Sequence, residues 1–578
     1  MTSIDKTEER QHNADKPKSF HTHAVPLNMD DIQQDWDEPI VDACLAAKSS
    51  VIMRVGALDL GSGTGSFRVR EMMNRIAYPL GVHVRAEVNL TDIEASCTDG
   101  SDRLTEVVDL PTTGVNTERI WLLEHFADWF NVNLGADSLY HAKATVSQEL
   151  VEYLGNPTSR HSALRAVKQA RRSQESQEGA RQGGQSAGGR TLDQAADQGP
   201  QEAVVDQLAQ EVTDAKAAAR GCEPGQATAE DKAKVSAALT SLTRTANQGN
   251  RLTVGQAHRH LDLIESRKPL YSPWFSGLAS ALACAAFVFL LGGGPYDMVG
   301  AFVGAGLGQW LRRRMFAHHL NQFFVTFVCV AVAALACVGT LRLIGLFNPV
   351  ALQHDTAYIG AMLFVIPGFP LITGGLDIAK LDFPSGIQRC CYTLAIILMA
   401  TLAGWMVAYL VRLNPQGFEP MGLDPWLNAG LRMLAAFVGV WGFSVLFNSP
   451  QRMCCTAAVI GAITDTLRLT MTDCGMPPEA AAFLGALLAG LLATAWRSSV
   501  RHGFLPPHLG YPRICLTVPS IVIMVPGLYM YQAMFHLGQF DILRALDWGF
   551  RAFMVIVCLP IGLAMARVIT DKAWRYDV

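Results

Sequence analysis

The sequence has 13 cysteines but no CxxC pair and no Cys/His cluster at metal-ligand spacing, which argues against a zinc or redox centre. Most of these thiols, the vicinal pairs Cys390–Cys391 and Cys454–Cys455 included, lie in apolar stretches, where cysteine serves as a small buried hydrophobe. The opening stretch, MTSIDKTEERQHNADKPK, has no apolar core, so the expectation is no cleavable leader and a cytoplasmic setting for whatever precedes the first span. Residues 166–250 have almost no aromatic or branched apolar residues; a Gln/Ala/Gly/Arg/Ser-rich stretch of this kind cannot bury enough surface to offset chain entropy. From Trp274 onward charge becomes sparse, so the formal net charge of −4 averages two unlike halves and says little about partners. Nothing points to nucleic-acid recognition.

What the second half does have is long apolar runs. A membrane helix needs about 20 mostly apolar residues to cross about 30 Å of hydrocarbon. Ten segments qualify as expected spans: 274–292, 297–311, 322–346, 357–379, 387–411, 428–448, 453–469, 478–497, 515–536 and 548–569, the second and seventh being short and Gly-rich. With the N-terminal zone placed inside, the inner loops carry Arg312, Arg313, Arg314, Lys380, Arg389, Arg452, Arg497, Arg501 and Arg513, and the outer loops far fewer cations. That asymmetry favours both termini in the cytoplasm and an even number of spans.

Two spans resemble each other. The fourth contains AMLFVIPGFPLITGGLDI and the ninth VPSIVIMVPGLYMYQAMF, each with a central Pro-Gly pair, Pro367–Gly368 and Pro526–Gly527, 159 positions apart. GAGLGQWLR at the end of the second span and GAITDTLR at the end of the seventh form a weaker pairing. Two units of five spans must sit with opposite orientation, the inverted-repeat plan of many secondary transporters. Proline removes a helical hydrogen bond and glycine adds freedom, so each pair can open a helix and free backbone groups for a ligand; a simple packing kink is the alternative. Ionisable and polar residues in the spans extend the list of substrate or ion-pathway candidates: Asp465 with Thr464, Gln309 at the position matching Asp465, Asp377 and His536 nine residues after each glycine, Thr373 and Tyr529. Asp377 could equally cap its span beside Lys380, and Asp465 could pair with Arg468.

The segment RKPLYSPWFSGLASALACAAFVFLLGGGPYDMVGAFVGAGLGQWLRR (268–313) resembles the junction and first spans of the threonine/serine exporter family, as does FVIPGFPLITGGLDIAKLDFPSGIQR (364–389). GSGTGSFRVREMMNRIAYPLGV, EVNLTDIEASCTDG and VVDLPTTGVNTERI are similar to that family's N-terminal domain, and 428–570 to its second, smaller membrane unit. The resemblance implies export of the small hydroxy amino acids threonine and serine, driven by the proton gradient, with a cytoplasmic soluble domain that has at times been likened to hydrolases. It covers roughly 40–155 and 251–570 and leaves the intervening insertion unexplained.

LDLGSGTG (58–65) poses a rival reading: it looks like the glycine-rich loop of a methyltransferase, with Glu87 as the acidic residue downstream. The preceding apolar spacing (Val41, Cys44, Leu45, Val51, Ile52, Val55, Leu58) is closer to helical than to strand spacing, and too little chain follows for a doubly wound sheet. The simpler expectation is a helix ending at LGSG, a second helix from about Phe67 to Leu80 capped by Thr64 or Ser66 and closed by Gly81, then strands in VHVRAEVN, DIEASCT and LTEVVDLP with DGSD as a hairpin turn. Arg68 and Arg70 are expected to be solvated, and 254–269 to be an amphipathic helix running into the membrane with His258 and His260 on its surface.

The expected architecture is therefore a polytopic all-α membrane protein of about ten spans in a 5+5 inverted repeat, with a small N-terminal cytoplasmic α+β domain. Its divisions are 1–35, a soluble domain over 36–160, a low-complexity insertion over 161–250, a linker helix over 251–272, and five-span units over 273–413 and 425–570. The expected function is proton-driven export of threonine and serine across the plasma (inner) membrane with no cofactor, the partners being substrate, protons and lipid, and a homo-oligomer left open. The alternative is a membrane-tethered methyltransferase or hydrolase acting through 36–160.

Overall fold

The computed structural model describes residues 34–110, 114–134, 252–413, 417–418 and 422–576. The N-terminal tail and the low-complexity insertion of the sequence reading lie outside these residues.

In the N-terminal part, helix α1 (Leu45–Gly61) is buried along most of its length. It packs against α2 (Ser66–Ala77), α3 (Thr117–Asn133), α4 (Val254–Glu265) and a sheet of β1 (His83–Val88), β2 (Asp92–Thr98) and β3 (Arg103–Asp109). The sheet is antiparallel in the order β1-β2-β3, with Ile93 opposite Val88 and Val108, and Cys97 opposite Val84. Those alternate residues are buried while their neighbours face outward, the period-2 pattern of a half-covered sheet. The expected hairpin turn falls on 99–102, where the Asp99 carboxylate accepts from the Ser101 and Asp102 amides.

Helix α4 does not run into the membrane. Val254, Ala257, Leu261 and Ile264 are buried in the N-terminal core, Pro39 bridges Thr253, and the Ile40 amide donates to the Leu252 carbonyl. His258 is buried, stacked on Trp36 and bonded to the Ser50 hydroxyl at 2.8 Å; His260 lies on Trp129. The surface placement expected for these histidines is corrected: the apolar stripe of this helix faces the protein, and the chain returns from the insertion to the domain it left.

The rest is helical: α5 (Pro273–Leu290), α6 (Pro295–Phe316), α7 (Gln322–Gly345), α8 (Ala357–Met362), α9 (Gly368–Ala379), α10 (Phe383–Val411), α11 (Pro425–Leu446), α12 (Gln451–Asp473), α13 (Pro478–Arg501), α14 (Arg513–Val522), α15 (Gly527–Gly538), α16 (Ile542–Thr570) and the short α17 (Lys572–Arg575). Among the described residues seven helices are long and apolar enough to cross a membrane, and nine if each of two bent pairs is one span. Of the ten expected spans, the missing one is α6: its 22 residues suffice in length, but its glycines, Gln309 and Arg312–Arg314 dilute its apolar character. It packs between α5 and α7 through its glycines. A Cβ on Gly304 would lie 2.5 Å from the Ala333 carbonyl, and one on Gly308 2.7 Å from Phe364.

Candidate functional site

The two bent pairs are α8 with α9, through the 3-10 turn Leu363–Val365, and α14 with α15, bent by 61° and 49°. Both breaks have the same backbone geometry. Pro367 has φ −81° and ψ 64°, Pro526 φ −80° and ψ 57°. The following glycine donates across the proline at 2.8 Å, Gly368 to the Ile366 carbonyl and Gly527 to the Val525 carbonyl. Each break is thus an inverse γ-turn. The breaks also pack against each other reciprocally: a Cβ on Gly368 would lie 2.5 Å from Val522, and one on Gly527 2.6 Å from Ile366.

The correspondence continues down each second arm. α9 and α15 both have 12 residues, α10 and α16 both have 29. Between them sit Leu381 (φ 63°) and Phe540 (φ 62°), and the Asp382 and Asp541 amides bond back to the Asp377 and His536 carbonyls at 2.9 and 3.0 Å. Asp377 and His536 therefore hold equivalent positions at the foot of each broken helix, in different surroundings. His536 is half-buried against Phe535. Asp377 is fully buried, with Arg389 Nε at 3.2 Å and the Ser385 hydroxyl at 3.4 Å.

The N-terminal domain completes this site. A Cβ on Gly65 would lie 2.6 Å from Asp377 Oδ1, and the Ser66 and Phe67 amides at the N-terminus of α2 face the same carboxylate. A helix N-terminus carries partial positive charge, which complements a buried anion. The Ser66 hydroxyl and the Arg70 guanidinium both donate to Asp382. Behind them Arg68 is buried, bonded to Glu124 at 2.6 Å and 3.9 Å from Asp59; Glu124 also pairs with Arg497 at 3.2 Å. Burial pushes the Asp59 carboxyl up to about 6 from an ordinary 3.8, with Arg68 opposing. The expectation of a solvated arginine is overturned at Arg68, which is covered by α3 and by the membrane helices, whereas Arg70 stays about a third exposed with its guanidinium held by Asp382. Neither Thr64 nor Ser66 caps α2: its N-cap is Gly65, the Thr64 hydroxyl bonds the Asp59 carbonyl, and the Ser66 hydroxyl is spent on Asp382.

The remaining sequence candidates are dispersed. Asp465 is buried and bonded to Arg468 on its own helix at 2.7 Å. Gln309 donates to the Ser276 hydroxyl at 3.2 Å, the Thr464 and Thr373 hydroxyls bond carbonyls of their own helices, and Tyr529 lies on Trp548. Sequence reasoning missed the convergence of Gly65, Ser66, Arg70, Asp382 and Arg389 on Asp377. Arg389 was legible only as an inner-loop charge, although it lies one tight turn beyond Asp377. A cavity of about 210 Å³ was also missed; it is lined by Arg342, Arg412, Asp355, His354, Tyr358 and apolar side chains. His354 bonds Asp297 at 2.9 Å, and the Tyr358 hydroxyl bonds that of Tyr531 on α15, linking the cavity wall to a broken helix.

The methyltransferase fingerprint loses its context here. The glycine-rich segment joins two helices rather than a strand and a helix, and the N-terminus of α2, where a cofactor's anionic group would sit, faces a carboxylate of the chain itself.

Seven to nine apolar helices and two matched breaks define a polytopic helical membrane protein. The ThrE family model, a threonine/serine exporter, matches residues 50–138 and 229–411, and a second threonine/serine exporter model, ThrE_2, matches 432–569. The chain belongs to the threonine/serine exporter family. The two matches part between α10 and α11, so one of the two bent helix pairs falls in each. No solved structure matches the chain.

Proposed function

We propose that this chain exports threonine and serine across the plasma membrane, driven by the proton gradient, with two inverted five-span units alternating around the broken helices and both termini in the cytoplasm. The observation that carries this reading is the reciprocal seating of the two Pro-Gly breaks, each glycine against the other unit's aliphatic side chains. Two copies of an odd-span unit related by a two-fold axis in the membrane plane would bring their discontinuities together in this way. Peptide groups released at such breaks can bind a polar solute away from water. The 210 Å³ cavity fits the substrate class: two guanidinium groups suit a carboxylate, Asp355 suits an ammonium, and the apolar wall tolerates a methyl group. Asp465 and Asp377 are the carboxylates proposed to carry the proton.

The test is efflux of labelled threonine and serine from proteoliposomes under an imposed proton gradient, with and without an uncoupler. Gradient-dependent efflux of both amino acids is expected; no flux of either under any gradient would refute the reading.

A further inference from the structure

The N-terminal domain does more than touch Asp377: it straps the two halves of the membrane bundle together at one end. On the first half, Gly65 abuts Asp377, Ser66 and Arg70 hold Asp382, the Leu90 amide donates to Gln388 Oε1 at 3.0 Å, and Gln388 donates to Asn89 Oδ1 at 3.3 Å. On the second half, the Thr117 amide bonds the Phe447 carbonyl at 3.0 Å, Trp121 Nε1 donates to the Gly510 carbonyl at 3.0 Å, and Phe67 meets Trp574 edge-on. Arg567 lies over both Phe67 and Trp574.

From these contacts we infer that the N-terminal domain is the gate at this end of the transport path, and that the start of α2, Gly65 to Arg70, is its latch. Gly65 has φ −72° and ψ 157°, an extended conformation open to any residue, so the turn does not require glycine there. Space requires it, because any side chain would collide with the Asp377 carboxylate. A latch made of polar contacts and one helix N-terminus can release without leaving a large apolar scar, as a gate must. If the halves rock against each other, the strap cannot stay fastened to both while this end opens. The attachment that lets go in each cycle is that of α2 to Asp377 and Asp382, which has no aromatic anchor, whereas Trp121 and the Phe67–Trp574 contact hold the other side. This rests on the exporter reading for its transport readout, but the latch itself is testable without it.

Two perturbations of the full-length chain test the gate. Asn89→Cys with Gln388→Cys, joined by a reductant-cleavable bifunctional thiol reagent, fastens the rim of the contact without altering the latch. Linked protein should export threonine at least tenfold more slowly than the same protein after reduction, while each single variant treated with the reagent keeps its rate. Linked protein, verified by peptide mass, that exports at the reduced rate overturns the gate. Gly65→Ala should raise amide hydrogen exchange in both 66–70 and 382–389, whereas Gly61→Ala, whose added Cβ meets nothing within 4 Å, should leave both unchanged. Equal exchange in the two variants overturns the latch. If the unmodified chain moves neither amino acid, the exporter reading fails, and the latch then stands or falls on hydrogen exchange alone.

Discussion

Asp59 offers a stability test with a definite sign. Its carboxyl is fully buried at the end of α1 and lies 3.9 Å from Arg68 Nε. Burial is the dominant influence and pushes its pKa up to about 6 from 3.8. The native state therefore keeps this proton as pH rises from about 4 to about 6, while the unfolded chain gives it up, so the group's contribution to stability falls across that window and levels off above it. A shift of roughly 2 units at about 1.36 kcal/mol each is worth about 3 kcal/mol at neutral pH. Asp59→Asn fills the same volume without titrating, and Arg68 retains its bond to Glu124. Melting of the detergent-solubilised chain, followed by tryptophan fluorescence, should thus show a variant-minus-parent difference near zero at pH 4 that grows to a plateau by pH 7. A difference that is flat, or that shrinks as pH rises, would refute the account. Other titrating groups are common to both proteins and cancel in the difference.

His258 has the opposite sign. Burial pushes its imidazole down to about 3 from 6.5, so the native state keeps it neutral on Trp36 while the unfolded chain takes up a proton, and the stability it contributes is full above about 6.5 and falls as pH drops toward 3; at pH 5 the deficit is about 2 kcal/mol, and His258→Gln should flatten that acid limb in the same melting assay. Arg389→Ala strands the buried Asp377 carboxylate and should cost about 3–5 kcal/mol, most of which the double variant with Asp377→Asn should recover in a thermal-shift cycle. Asp465→Asn should abolish gradient-driven export while insertion into the membrane is unchanged, with flux and surface-accessible protein measured together; full export would remove Asp465 from the mechanism. Arg412→Gln should raise the half-saturating threonine concentration by about tenfold, the worth of one charge-assisted bond, with little change in maximal flux.

The legible parts of this fold are those governed by neighbours in sequence. The hairpin at 99–102 was readable because Asp99 satisfies amides two and three residues on, and the broken helices because proline and glycine act on their own backbone. The left-handed positions Gly63 and Gly81 match the reading of glycine as punctuation. Gly65 does not, because the atom that demands its missing side chain belongs to Asp377, far along the chain; nothing local distinguishes a glycine kept for its dihedral angles from one kept for space. Helix α3 escaped notice because it is buried on nearly every side and carries Glu124, His125 and Asp128 inward, which erases the apolar stripe that marks a surface helix. Helix α4 has such a stripe, but a stripe does not say whether lipid or protein lies opposite. Among the site residues, the four at the breaks come together, whereas Asp377 acquires its surroundings from a domain the membrane pattern cannot reveal.

The seam between the two halves has a consequence for chain continuity. α10 ends at Val411 and α11 begins at Pro425, while the halves hold each other through Gly442 against the Ala279 carbonyl and through the facing breaks. Adhesion between them thus resides in buried surface rather than in the peptide linking them. Severed within that junction and co-expressed as two polypeptides, the pieces should find each other in the bilayer and rebuild the whole.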